Sequence, residues 1–354
     1  MTNPWLFLIV FLLPSSVVVG VHRGGAWPWL AAAWVFVLIP VLDLLIGSNP
    51  RNPDPAAEQE LAERRVYRYI TWLCVPVQLA LVFWGAVVAT SGRLSALETA
   101  GVVFGIGLTT GAMGINVAHE LIHKHDRWEN ALGFILLWTV GYMHWGIEHV
   151  KGHHRWVATE RDPATARFGQ SFYAFWPQTV FGSFRSAWRI ESFLLSRKGR
   201  GPWTARNKVI QCVLAQAALV VFFAWAFGPG GVLYYAAESL IGISLLEIVN
   251  YLEHYGLTRK PLGPDAYEKV TPLHSWNSSH ELTTYFLFNL QRHADHHAKP
   301  TRRYQILRHV EDSPQLPTGY AGMLLLALVP PLWRKVMDPR VIAHRERVAA
   351  MEKQ

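Results

Sequence analysis

Nine of the sixteen histidines in this 354-residue chain fall into four groups whose types and spacing suit metal ligation. HELIH places His119 and His123 four residues apart, and EHVKGHH supplies His149, His153 and His154. His254 stands in NYLEHYG, and LQRHADHH contributes His293, His296 and His297. Side chains three or four residues apart share one face of a helix, so each of the three clusters presents at least two imidazoles to a common point. One transition ion takes about four to six ligands, so nine imidazoles predict two ions with positions left for oxygen. Neutral imidazole suits iron, copper, zinc and nickel, whereas magnesium and calcium want oxygen, and spacing alone leaves those four metals open. His22, His125, His144, His274, His280, His309 and His344 complete no such spacing, with His280 in SWNSSH the nearest to a candidate. Metal-bound histidine usually passes its second N–H to a carboxylate or carbonyl, and Glu148, Asp162, Glu253 and Asp295 are expected to receive it.

Such a cage needs elements to hold it. With 51% hydrophobic, 13% aromatic and only 16% charged residues, the composition is that of a bilayer protein. Six apolar runs approach the length of about 20 residues that a hydrocarbon core of about 30 Å requires. They are residues 4–21, 27–46, 69–90, 97–118, 209–227 and 232–251. The first run lacks a basic n-region and a cleavage site, so it is read as a membrane helix and not as a signal peptide. The expected fold is an all-α integral membrane protein. Six transmembrane helices would carry a helical cytoplasmic part bearing the histidine clusters, all in one integrated domain. Residues 131–149 are apolar yet carry His144, Glu148 and His149, which predicts a buried or re-entrant stretch; whether it enters the bilayer stays open.

The net charge of +8 is unevenly spread. Lys and Arg crowd residues 51–68, 124–208 and the chain after Arg259, whereas the short loops 22–26 and 91–95 carry one arginine each, Arg23 and Arg93. By the positive-inside rule, segments 47–68, 119–208 and 252–354 and both termini face the cytoplasm, with every histidine group on that side. Anionic headgroups account for the remaining basicity, and no signature of nucleic-acid binding accompanies it. Cys74 and Cys212 both sit in apolar runs, which provides neither a disulfide framework nor a CxxC metal site.

Three functions compete for this pattern. Read as HExxH, HELIH is a zinc-protease helix with Glu120 as general base, but seven clustered histidines are then without a task. A metal-transport path would put its sites near the bilayer midplane, whereas these imidazoles lie at one face. A membrane oxygenase uses them all.

HELIH, EHVKGHHRWVATERDPATAR, NYLEHYGL and LQRHADHHAKPTRRYQILR resemble the membrane-bound alkane 1-monooxygenase family within the integral-membrane fatty acid desaturase and hydroxylase superfamily. The three histidine clusters alone would also fit a desaturase or a xylene-type monooxygenase. The company of NYLEHYGL and PTRRYQ narrows the resemblance, which runs from about Leu42 to Arg340. It implies two iron ions in a non-haem di-iron site held by the nine clustered histidines. It also implies O2 as co-substrate and a medium- or long-chain n-alkane hydroxylated to the 1-alkanol in a bacterial inner membrane. Electrons would come from rubredoxin, itself reduced by an NAD(P)H-dependent rubredoxin reductase. Two buried cysteines cannot supply a fused rubredoxin, so the donor is expected to be a separate protein.

Alkanes partition into lipid tails, gaining about 0.8 kcal/mol per CH2 over water, so a channel opening laterally between helices is expected. On the second run Trp34, Val35, Phe36 and Ile39 are its candidate walls, Val35 at a place where family members vary in bulk. For the acidic rubredoxin, the candidate docks are Arg302, Arg303 and Arg308, or Arg197, Lys198 and Arg200.

Overall fold

The computed structural model describes residues 3–264 and 266–351. Helices α1 (Pro4–Arg23) and α2 (Trp27–Ile46) form a hairpin that closes over Gly20, where a Cβ would stand 2.7 Å from the Trp27 carbonyl oxygen. Asp54 caps the short α3 (Pro55–Glu63) by accepting from the Ala56 amide at 3.0 Å. The second hairpin pairs α4 (Arg65–Thr90) with α5 (Ala96–Ile122). A capping box of Ser95 and Glu98 starts α5, and Glu98 also takes the Gly25 amide at 2.6 Å, which fastens the two hairpin turns together.

Next come α6 (Arg127–Thr139), α7 (residues 145–156) and α8 (Phe172–Ser196), and then α9 (Lys208–His254). Among the described residues five helices are long and apolar enough to cross a membrane: α1, α2, α4, α5 and α9. This differs from the six separate helices expected. Runs 209–227 and 232–251 belong to the single 47-residue α9, whose backbone leaves the helix at Gly228 (φ 64°) just before Pro229. Glycine tolerates that left-handed conformation and proline cannot continue the hydrogen-bond ladder, so the chain doubles back. Phe223 then stacks on Tyr235 at 5.0 Å. Trp138 touches both arms, donating to the Ala215 carbonyl (2.8 Å) and accepting from the Tyr235 hydroxyl at its own carbonyl (3.0 Å). Helix α6 has 13 residues, about 20 Å, too short to span. It ends before Gly141 (φ 68°) and packs on α5 through Gly133, where a Cβ would stand 2.8 Å from Ile122 Cγ2.

Nor is the fold wholly α-helical. The Pro/Gly-rich stretch after α9 forms an antiparallel ribbon of β1 (Pro261–Gly263) and β2 (Ala266–Tyr267), with Pro261 opposite Tyr267. Proline and glycine disfavour helix, and Arg259 fixes the ribbon's base by donating from Nε to the Glu268 carbonyl at 2.8 Å. Beyond it lie α10 (Glu281–Phe286), α11 (His293–Ala298), α12 (Tyr320–Ala327) and α13 (Pro330–Met351). Asp43, buried near the end of α2, accepts from both the amide and the hydroxyl of Thr283 and so ties α2 to α10. Trp333 of α13 packs on Tyr251 (4.9 Å) and Tyr255 (5.2 Å) at the end of α9.

Among the described residues three helices contain a π turn: Trp34–Leu38 in α2, Thr110–Ile115 in α5 and His149–His153 in α7. Such turns shift every later side chain around the helix, and they gather at functional sites.

Candidate metal centre

Helix α5 delivers His119, with His123 directly after its end; α7 carries His149, His153 and His154; α9 ends on His254; and α11 holds His293, His296 and His297. These nine imidazoles meet in two adjacent groups. One is His119, His123, His149, His154 and His296, and the other is His153, His254, His293 and His297. The groups adjoin, with the His154 and His297 rings stacked at 4.4 Å.

The partition does not follow the sequence clusters. An α-helix would pair His149 with His153, four apart, but the wider π turn, with its i→i+5 hydrogen bonds, brings His149 beside His154 instead, their Nε2 atoms 3.2 Å apart. On α11, His293 and His297 stay together at 2.9 Å while His296 points to the first group, 3.1 Å from His154 Nε2.

Two nitrogens each about 2.1 Å from one ion, at angles between right and tetrahedral, lie about 3.0–3.4 Å apart. The Nε2 pairs here, His254 with His293 at 3.2 Å and His153 with His297 at 3.3 Å included, have that separation. His119 and His123 bury Nε2 with no hydrogen-bond partner. Burial, and then the neighbouring imidazoles, hold His123, His149, His154, His293, His296 and His297 well below the usual histidine range, in the neutral state that binds metal. A donor set of converging imidazoles, most of them held neutral, fits two transition ions.

His153 behaves differently. Burial lowers it, but the charge and hydrogen bond of Asp162 outweigh burial and raise it overall. Its Nδ1 donates to Asp162 Oδ2 at 2.9 Å, which leaves Nε2 facing the centre. The Thr165 hydroxyl (2.6 Å) and Ala164 amide (3.0 Å) fix that carboxylate in turn. Glu253 Oε1 lies 3.2 Å from His293 Nδ1 and accepts from Tyr320 Oη at 3.0 Å. The other two carboxylates expected to brace histidines bond elsewhere. Glu148 takes the Ser186 hydroxyl at 3.0 Å, and burial, followed by repulsion from Asp162, raises it to about 8. Asp295 pairs with Arg302 (2.8 Å) and caps the Arg308 amide (3.0 Å), because an arginine loop folds back over α11. His280 lies 2.9 Å from the Ser278 hydroxyl and joins neither group.

Sequence reasoning missed Trp145, stacked on His149 at 4.4 Å, and Tyr320. It also missed Glu247, fully buried and bonded to Tyr142 (2.7 Å), Thr179 (2.7 Å) and Asn250 (3.0 Å). HxxxH spacing points to ligands and is silent about what braces them.

The fatty acid desaturase family model matches residues 95–326, which contain every one of these histidines. The chain is 45% identical over 345 residues to alkane 1-monooxygenase 2 of Pseudomonas aeruginosa, covering 96% of this chain and 92% of that protein. The chain belongs to the alkane 1-monooxygenase family, within the fatty acid desaturases. Alkane 1-monooxygenase 2 of Alcanivorax borkumensis is 42% identical over 342 residues, 96% of this chain and 90% of that protein. The xylene/toluene monooxygenase hydroxylase component of Pseudomonas putida is 28% identical over 360 residues, 98% of this chain and 93% of its own. As an alkane 1-monooxygenase family member the protein is an oxidoreductase, a membrane monooxygenase.

Two further features bear on a family of alkane 1-monooxygenases. A cavity of about 840 Å³, counted with the open space at its mouth, has His119, His149 and His293 in its wall and is otherwise mostly apolar. Val35 and Ile39 line it, along with Leu13, Leu245, Phe286 and Leu324. Trp34 and Phe36, expected beside them, do not: Trp34 packs on Phe286 at 6.4 Å and Phe36 stacks on Phe104 at 6.0 Å. Positions 35 and 39 share a helix face from which 34 and 36 turn away. Of the basic candidates, Arg302 pairs with Asp295 and Glu58, Arg303 with Glu129 and Arg308 with Glu58, so internal carboxylates absorb their charge. Arg197, Lys198 and Arg200 are exposed just past α8.

Proposed function

We propose that this protein hydroxylates the terminal carbon of medium- or long-chain n-alkanes with O2 at a non-haem di-iron site, giving 1-alkanols. The observation that carries the reading is two adjoining groups of converging imidazoles, three of which, His119, His149 and His293, stand in the wall of a mostly apolar cavity. An unactivated methyl group offers neither charge nor a leaving group, so acid–base catalysis has nothing to act on. Iron bound by the nine histidines would supply the reductive activation of O2 that such a C–H bond demands. The balance is one alkane, one O2, two electrons and two protons giving one alcohol and one water.

The chain's own residues do the rest. Asp162 holds the Nδ1 side of His153 by a hydrogen bond, and Glu253 stands 3.2 Å from His293 Nδ1. Leu13, Val35, Ile39 and Phe286 exclude water and accept the alkane tail. The electrons come from a separate rubredoxin, kept reduced by an NAD(P)H-dependent rubredoxin reductase. Exposed Arg197, Lys198 and Arg200 are the better of the two basic docks, and charge reversal there is expected to raise the apparent KM for rubredoxin. With the two arms of α9 counted separately the chain makes six crossings of the bacterial inner membrane, its basic segments, both termini and the iron site on the cytoplasmic side.

Iron analysis of the purified protein, together with product identification after turnover with rubredoxin, its reductase and a series of alkanes, tests this. About two irons per chain and 1-alkanol support it. Zinc, or a double bond placed in an acyl chain, overturns it.

A further inference from the structure

A groove away from the histidines opens between α8 and the first two turns of α9. Its walls are Phe184, Trp188, Trp203, Ile210, Val213 and Leu214, and Arg185 and Arg189 stand beside them. The Trp188 and Trp203 rings meet at 4.8 Å. Trp203 is 82% exposed and Leu214 63%, so two of the groove's most apolar walls are left uncovered by the protein itself.

Location decides what covers them. Lys208 opens the apolar α9, and Val213 and Leu214 are exposed on it, so they face lipid tails. Helix α8 exposes Phe181, Phe184 and Phe193 on its outer side. Aromatic rings mixed with arginine at the end of a spanning helix are the composition of a membrane interface. Arg185 and Arg189, four apart and both exposed, share a face of α8 and have no hydrogen bond or ion pair among the described residues. The nearby carboxylate Glu191 is buried and engaged by Lys151 at 3.1 Å, so it does not neutralise them. Two unpaired guanidiniums above an apolar slot at the interface match a phosphate above an acyl chain.

We propose that this groove holds an anionic phospholipid, its phosphate on Arg185 and Arg189 and its acyl chain between the two tryptophans and α9. The site has a structural consequence. Ser186, next to Arg185, reaches inward to Glu148 at 3.0 Å, and Thr179 reaches Glu247 at 2.7 Å, so the lipid braces the helix whose inner face closes the metal region.

The test uses the full chain reconstituted in nanodiscs of phosphatidylethanolamine and phosphatidylglycerol, then released for native mass spectrometry. The wild type is expected to retain phosphatidylglycerol in preference to phosphatidylethanolamine. R185Q/R189Q is expected to lower the retained phosphatidylglycerol about tenfold, leaving the phosphatidylethanolamine and the circular dichroism unchanged. W203A is expected to lower retention of both lipids. The proposal is overturned if R185Q/R189Q keeps its phosphatidylglycerol, if both lipids fall together in that variant, or if millimolar inorganic phosphate displaces the lipid. It is also overturned if R185Q/R189Q leaves retention intact and weakens only the binding of an acidic protein.

Discussion

Asp162 is bonded to Nδ1 of His153, so the nitrogen that faces His297 is Nε2, and through that one proton the carboxylate is expected to tune the site. Asp162→Asn keeps the shape but loses the charge that raises His153. Iron affinity is expected to fall about 10–100-fold, read as iron retained per chain during chelator titration; wild-type retention would refute the role. Val35 and Ile39 line the cavity and Trp34 does not, so Val35→Trp is expected to shorten the longest alkane hydroxylated while Trp34→Phe leaves the chain-length profile alone. An unaltered profile in Val35→Trp would remove that residue from the substrate path. Protonation sets a third expectation. The six imidazoles of His123, His149, His154, His293, His296 and His297, all outside the spanning helices, are depressed by burial, so below the ordinary pKa of about 6.5 the unfolded chain binds protons that the folded metal-free chain refuses. Stability contributed by these groups is therefore present above that pH and lost as pH falls beneath it, with raised His153 offsetting a small part. The melting temperature of metal-free protein should drop between pH 7.5 and 5.5 (about one unit either side of the free value), and a flat profile would count against neutral, buried imidazoles.

Among the elements, α5 and α6 pack closely beside the histidines of HELIH. Gly133 lets α6 lie against the turn of α5 that ends in His119 and His123, with a hypothetical Cβ only 3.1 Å from the Ala118 carbonyl. Gly133→Val is expected to cost about 1–3 kcal/mol through overpacking and to lower iron content together with the melting temperature. A stable variant with full iron would mean that the joint is slack. The helices themselves were legible from hydropathy, because a run of apolar residues near 20 reports on the solvent around it and needs no partner. The bend at Gly228 was legible only as a gap between two runs. The π turns were not legible at all, since they depend on which neighbours press on the helix. That is why HxxxHH suggested a pair, His149 with His153, that the π turn separates.

Across the whole molecule the cage is made from α5, α7, α9 and α11, elements joined by no shared local sequence. Metal should therefore act as a tertiary clamp. Free iron at about 100 times its dissociation constant adds about 2.7 kcal/mol to a fold that alone binds it. Iron removal is expected to lower the unfolding midpoint and re-addition to restore it, in the same detergent; a midpoint indifferent to iron would show that the four elements are held without it. Sequence alone determined the membrane character, the nine histidines and the resemblance that carries the chemistry, because composition and short spacings are properties of neighbours along the chain. Only the tertiary structure decided the five-to-four partition of the imidazoles, the burial of Glu247 and the pairing of Tyr320 with Glu253. It likewise turned Trp34 and Phe36 away from the cavity and neutralised Arg303 and Arg308 with Glu129 and Glu58. Those outcomes join residues up to 250 positions apart, and the energy of burying a charge or a ring depends on what the fold brings to meet it.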